Sequence, residues 1–207
     1  MTTAAFQSAF VRLVTDQEFR DSVRRGQIPP GVVDPVEREQ LAVVAAQPGI
    51  AAMRVVYRGF RLNKILAMLP LTGRLLGEQR LSAELERFWK DQPSGSFYYV
   101  EEANRFCDFL WKRIEDGLET PYLRDVVLFE QASLRLQKAA GEGRELMLQI
   151  DLNHRPAFLE ELYKGRVPAE VPLEPTSLLG VVSDKRPVRW FVLDPDNPLT
   201  LSLASQS

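Results

Sequence analysis

Few side chains in this sequence could act as nucleophiles, bases or metal ligands. The 207 residues include one histidine, His154, and one cysteine, Cys107. A structural zinc site takes about four His, Cys or carboxylate ligands, and a catalytic triad needs a histidine beside its nucleophile. His154 precedes Arg155-Pro156 at a predicted helix start, which favours a capping or surface role. Cys107 lies in an apolar helical stretch, which favours a small core residue over a reactive thiol.

Motifs for nucleotide binding or hydrolysis are also missing from the sequence. It contains no GxxxxGKS/T, no GxGxxG and no GxSxG pattern. Carboxylates alone could serve a hydrolase, but here they are scattered over predicted exposed helix faces. We therefore expect no catalytic residues, no metal site and no cofactor in this chain, and we expect it not to be an enzyme.

Composition and charge narrow the class of protein further. The chain is 45% hydrophobic and 26% charged with a formal net charge of -2, which allows a real core and gives no overall attraction to nucleic acid or anionic membranes. One cysteine cannot form an internal disulfide, which fits a reducing compartment. With no signal-peptide pattern and no long apolar run, the sequence predicts a cytoplasmic protein that does not enter a membrane.

The elements that must position any site follow an α+β order. Helix caps and apolar spacing predict an N-terminal all-helical domain over residues 1–143, including a helix over about 50–68 whose Met53, Val56 and Phe60 face the core. Alternating apolar residues predict strands at 145–151, 178–183, 188–193 and 199–203, with one helix over about 156–164. Residues 144–207 thus form a small α+β unit that resembles a peptide-recognition module.

Two segments have the chemistry of binding surfaces. The first is the predicted strand Val188-Arg189-Trp190-Phe191-Val192-Leu193. If this strand lies at an edge of the sheet, its backbone could bind an extended peptide as an added strand. Alternatively, it is a central strand, and 199–203 is the edge. The second surface is a basic stripe at helical spacing, formed by Arg54, Arg58, Arg61 and Lys64. Guanidinium groups pair carboxylates with two hydrogen bonds, so the stripe could dock an acidic partner, or else be an ordinary solvated face.

The region from about residue 50 to 135 resembles a helical bacterial family named for a DNA-binding domain but of unknown function. Four stretches carry the resemblance: Tyr57-Arg58 with Arg61-Leu62 and Leu66; Leu69-Pro70 with Leu75-Leu76-Gly77; Phe88-Trp89 with Pro93-Ser94, Phe106 and Phe109-Leu110; and Pro121-Tyr122-Leu123-Arg124-Asp125 with Leu128-Phe129-Glu130. The second and the fourth are similar to specific sequence patterns of that family, and the order and spacing of the stretches agree with the family over about residues 50–135.

Members of this family occur as partners of multinuclear non-heme iron oxidases that modify ribosomally made peptides, as in methanobactin biosynthesis. The resemblance implies a noncatalytic subunit that forms a heterodimer with the oxidase and recruits the leader of the precursor peptide. Any iron would then belong to the oxidase. The alternatives are a DNA-binding regulator, which the net charge disfavours, an enzyme that uses scattered carboxylates, and an unrelated adaptor protein.

Overall fold

Helices form most of the described chain, and a small antiparallel sheet follows them. The computed structural model describes residues 4–28, 34–92, 98–183 and 187–193. The helices in these ranges are α1 Ala4–Thr15, α2 Gln17–Arg24, α3 Pro35–Ala46, α4 Gly49–Met68, α5 Pro70–Asp91, α6 Tyr99–Glu115, α7 Leu123–Gly141 and α8 Ala157–Tyr163. The strands are β1 Leu146–His154, β2 Leu173–Val182 and β3 Arg189–Leu193. The predicted α+β class is confirmed, and the strand predicted at 199–203 lies outside the described residues.

Aspartates at N-caps begin two of the early helices. The Asp34 carboxylate accepts a hydrogen bond from the Glu37 N–H at 2.8 Å, and Pro35 occupies the first turn of α3, as the sequence predicts. For α2 the pattern Thr15-Asp16-Gln17-Glu18 predicts a capping box with Thr15 as the N-cap, and this prediction is wrong. Asp16 is the N-cap and accepts from the Phe19 N–H at 2.9 Å, while the Thr15 hydroxyl donates to the Val11 carbonyl of α1.

The first of two compact units comprises Met1–Asn63 and Ala83–Phe97. In its described part, α1, α2 and α3 share a core formed by small and large apolar side chains, namely Ala9, Leu13, Phe19, Val23, Leu41 and Ala45. Arg24 donates from Nε to the Ala45 carbonyl at 2.7 Å, which satisfies a free acceptor at the end of α3. These contacts hold α2 against α3.

The second unit comprises Lys64–Ser82 and Tyr98–Ser207 and contains the sheet. The strand order is β1-β2-β3 with antiparallel pairing throughout. One sheet face packs against α7 and α8, and the Phe129 ring of α7 lies 5.0 Å from the Trp190 ring of β3. The helix α7 shares this core with the strands and belongs to the same compact unit as the sheet. The predicted boundary between residues 143 and 144 lies instead between α7 and the sheet.

No helix in the described ranges is both long enough and apolar enough to cross a bilayer.

Candidate functional site

The predicted peptide-binding strand lies at the edge of the sheet. Residues Arg189–Leu193 form β3, and Val188 directly precedes it. Ser177 to Val181 of β2 pair with β3 on one side. In the described residues no strand lies on its other side, so none of the described strands pairs with the backbone N–H and C=O groups of that edge.

Side chains of β3 alternate between the core and the open face of the sheet. Trp190 is buried against α7, and Arg189 and Phe191 lie on the opposite face with the guanidinium 5.8 Å from the ring centre. Trp190 fits because Gly180 stands opposite it in β2. A Cβ at Gly180 would lie 2.9 Å from the indole ring, which is closer than van der Waals contact.

At the other edge of the sheet, two backbone amides of β1 already hydrogen-bond to a buried carboxylate. Asp125 of α7 accepts hydrogen bonds from the backbone N–H groups of Asn153 and His154 at 2.9 and 3.0 Å. The His154 ring Nδ1 lies 2.8 Å from the same oxygen. The pairing of β1 with β2 is also irregular between Leu152 and His154. A bulge and occupied amides make β1 a poorer template for an added strand than β3.

His154 therefore does not have the capping or surface role that the sequence suggests. It ends β1, is half-buried, and packs edge-on against the Tyr122 ring at 5.2 Å. Tyr122 is in the left-handed conformation, φ 60°, directly before α7. Sequence reasoning also missed Asp125, whose partners are 28 and 29 residues away and leave no local signal.

Cys107 has the core role that the sequence predicts. The thiol is fully buried in α6 and unpaired by any disulfide. Burial raises the pKa of Cys107 well above its usual value, and the nearby Glu130 and Asp108 carboxylates raise it further. The thiolate, which is the nucleophilic form, is therefore suppressed. Among the residues that the structure describes, no group of three or more His, Cys, Asp and Glu side chains is placed to hold a metal ion.

A second buried carboxylate, also missed, joins α7 to the start of α5. Glu130 accepts from the backbone N–H groups of Leu71 and Thr72 at 2.7 and 3.0 Å and from the Thr72 hydroxyl at 2.6 Å. It satisfies amides that the first turn of a helix leaves free. Burial nevertheless raises the pKa of Glu130 to about 7, because it outweighs the three hydrogen bonds and the charge of Arg74.

Two of the four side chains in the predicted basic stripe are buried. Arg61 and Lys64 are each only 2% exposed, whereas Arg54 and Arg58 are half-buried. The Arg61 guanidinium lies 5.4 to 5.8 Å from the ring centres of Tyr57, Phe88 and Trp89. Aromatic faces and the long apolar stem allow this burial. Arg54 and Arg58 are the stripe residues that are not fully buried, and the partner-binding role of the stripe stays a prediction.

The opposite side of α4 is apolar and exposed. Met53, Val56 and Phe60 were predicted to face the core, but they are 46%, 72% and 45% exposed. The prediction that these residues share one face of a helix is confirmed, but the prediction that this face is buried is wrong. We call these three residues the α4 apolar stripe. Exposed apolar side chains that are contiguous on one helix face are typical of interaction surfaces.

Comparison of the sequence with protein-family models and with curated proteins finds no match. The family resemblance over about residues 50–135 stays a prediction.

Proposed function

We propose that this protein is a noncatalytic, cytoplasmic partner subunit that binds a multinuclear non-heme iron oxidase. In this proposal it recruits the leader of a ribosomally synthesised precursor peptide for modification by the oxidase. The observation that carries the proposal is the edge of β3 that no other described strand pairs with. A leader peptide would extend along β3 as a further antiparallel or parallel strand, with backbone hydrogen bonds giving affinity.

Side chains along β3 would supply selectivity for the peptide. Alternate residues of an added strand meet the two faces of the sheet. On the open face they would contact Arg189, Phe191 and Leu193, which follow one another at strand spacing. This surface suits a peptide that presents an apolar residue, with an acidic residue near Arg189.

The oxidase would dock on the α4 apolar stripe. Burial of Met53, Val56 and Phe60 against a partner removes apolar surface from water, at about 25 cal/mol per Å². Arg61 and Lys64 are buried, so an acidic-partner role for the basic stripe would fall to Arg54 and Arg58 alone. The same inward orientation of Arg61 and Lys64 also weakens the DNA-binding alternative, because that binding depends on cations that reach phosphates.

The first test is a pull-down of the tagged protein from its native host, with mass spectrometry and iron analysis of the retained proteins. The proposal expects an iron-containing oxidase together with a short precursor peptide. If neither is retained at low salt, the proposal is overturned.

Two adjacent proline variants test the strand edge itself. Successive N–H groups of a strand point to opposite edges, so one of Phe191→Pro and Val192→Pro removes an amide that faces β2 and the other removes an amide on the opposite edge. The edge-facing variant should keep an unfolding temperature close to that of the native chain and lose the peptide while it retains the oxidase. Retention of the peptide by a folded edge-facing variant contradicts strand addition on β3.

Docking of the oxidase is tested in the same assay by Val56→Glu. The matched control is Val43→Glu, since Val43 is likewise exposed on a helix, α3. Val56→Glu should lose the oxidase and keep the peptide, and Val43→Glu should keep both. Equal retention of the oxidase by the two variants would rule out the α4 apolar stripe as the docking face.

A further inference from the structure

The first compact unit contains a cleft that the proposed function does not use. Its volume is about 700 Å³, within the range of about 300–1,000 Å³ typical of ligand pockets. The start of α2, the middle of α4 and the end of α5 form its walls, with Asp16, Gln17, Arg54, Glu86 and Trp89 among the lining residues.

Arginine side chains meet at this cleft, and one of them, Arg54, makes no ion pair with a carboxylate among the described residues. Arg58 is paired with Glu86 at 2.6 Å and lies 5.5 Å from the Trp89 ring centre. Arg54 hydrogen-bonds the neutral amide oxygen of Gln17 instead. Partial burial lowers the pKa of Arg54, and the charges of Arg58 and Arg20 lower it further, so the three guanidinium groups are close enough to repel one another.

Several hydrogen-bond donors around the cleft have no acceptor in the described chain. They are Nε and Nη1 of Arg20, Nε of Arg54 and Nε1 of Trp89, and each of these atoms is buried. Arg20 is buried and does not itself line the cleft, but it is close enough to Arg54, which does line it, for the two charges to interact.

The unmatched groups define the chemistry of a ligand. All four atoms are N–H donors and two of the side chains are cations, so the ligand must bring acceptors and negative charge. Asp16, Glu18, Asp21 and Glu86 also line the cleft and would repel a dianion such as a phosphate. A single carboxylate meets both conditions, because it fits the planar fork of arginine and carries one charge.

We infer that this cleft binds a carboxylate side chain of an acidic peptide segment, held by Arg54 with the Trp89 indole N–H as a further donor, and with the positive charge of Arg20 close to Arg54. The acidic wall of α2 would pair with cations or amides that flank the carboxylate in the peptide, which favours a peptide over a small anion. This inference rests on residues of the first unit alone and does not depend on strand addition at β3.

Indole N–H signals in proton–nitrogen NMR spectra provide a direct test, because the chain has three tryptophans. The probe is a synthetic peptide in which glutamate alternates with glycine, and the matched control peptide has glutamine in place of glutamate. The glutamate peptide should shift the Trp89 indole signal in a saturable way. The Trp111 indole already donates to Gln131 at 3.0 Å and should not move. An equal response to the glutamine peptide would overturn the inference.

Arginine variants then assign the donors. Arg54→Gln should weaken glutamate-peptide binding about tenfold or more, as expected for loss of a charge-assisted hydrogen bond. Lys90→Gln, which also removes a cation from the cleft lining, should change binding less than about threefold. Equal losses in the two variants would indicate general charge attraction and contradict the site. Tighter binding of a phosphoserine peptide than of the glutamate peptide would contradict a carboxylate site, whatever the folding of the variants.

Discussion

Replacement of Glu130 by glutamine should remove a pH dependence of stability that the native protein shows between about pH 4.5 and 7. Glu130 is buried in α7 and accepts three hydrogen bonds from Leu71 and Thr72. Burial raises its pKa from 4.5 to about 7. The folded chain therefore holds this proton more tightly than the unfolded chain does.

The sign and size of the effect follow from that difference. The contribution of Glu130 to stability is fully present below pH 4.5 and is lost as the pH rises through about 7. Each unit of pKa difference corresponds to about 1.4 kcal/mol, so the free energy of unfolding should fall by about 3 kcal/mol over this window. Glutamine has almost the same shape and does not titrate there, so the variant should lack this fall.

Urea unfolding at several pH values measures the free energy directly. The native chain and Glu130→Gln should differ most at pH 4.5, because the amide cannot accept from every donor that the carboxyl group satisfies. Their curves should converge as the pH approaches 8. Glu145→Gln, at an exposed position, is the control and should run parallel to the native chain. Parallel curves for Glu130→Gln and the native chain would refute the assignment.

Two further substitutions test contacts that hold the sheet. Gly180→Ala should lower the free energy of unfolding by about 1–3 kcal/mol through overpacking against the Leu136 side chain and the Trp190 ring, although alanine in place of glycine usually stabilises a strand; an unchanged or higher melting temperature would contradict this. Asp125→Asn should lower it by about 2 kcal/mol, because one neutral oxygen replaces the carboxylate that His154 and two backbone amides share. A change below about 0.5 kcal/mol in urea unfolding would show that Asp125 is not needed there.

Local signals in the sequence predict much of the fold. Asp34-Pro35 marks the start of α3, and Gly141 ends α7 as predicted. The alternation in Glu145–Asp151 predicts both the strand β1 and its faces, since Ile150 is buried and Met147 is exposed. These features depend on residues within one or two turns or along one strand, so one sequence contains the information that they need.

The orientation of α4 could not be predicted in the same way. Apolar spacing gave the face formed by Met53, Val56 and Phe60, and the usual assumption is that an apolar face is buried. Arg61 and Lys64 are instead the buried residues, each beside aromatic rings that come from elsewhere in its own unit. Which aromatic side chains surround a cation is set by tertiary packing, and the periodicity of one helix does not contain it.

The buried carboxylates were missed for a related reason. On α7, Asp125 and Glu130 occupy positions where an acidic residue normally marks a solvated face. Their donors belong to β1 and α5, and those of Glu130 are 58 and 59 residues away. A carboxylate that satisfies the amides of a distant element has the same sequence neighbourhood as an exposed one. Such residues become visible only when the partner backbone is in place.

The sequence and the structure together describe the edge strand β3 more fully than any other candidate surface. Alternation predicts β3 but not its register, and a shift by one residue would turn Trp190 to the open face. Gly180 fixes the register, because among the β2 positions paired with β3 it is the one without a side chain, and the indole fits over it. Arg189, Phe191 and Leu193 are then held on the open face. A peptide that adds to β3 would therefore meet one defined set of side chains, which is a condition for selective recognition by strand addition.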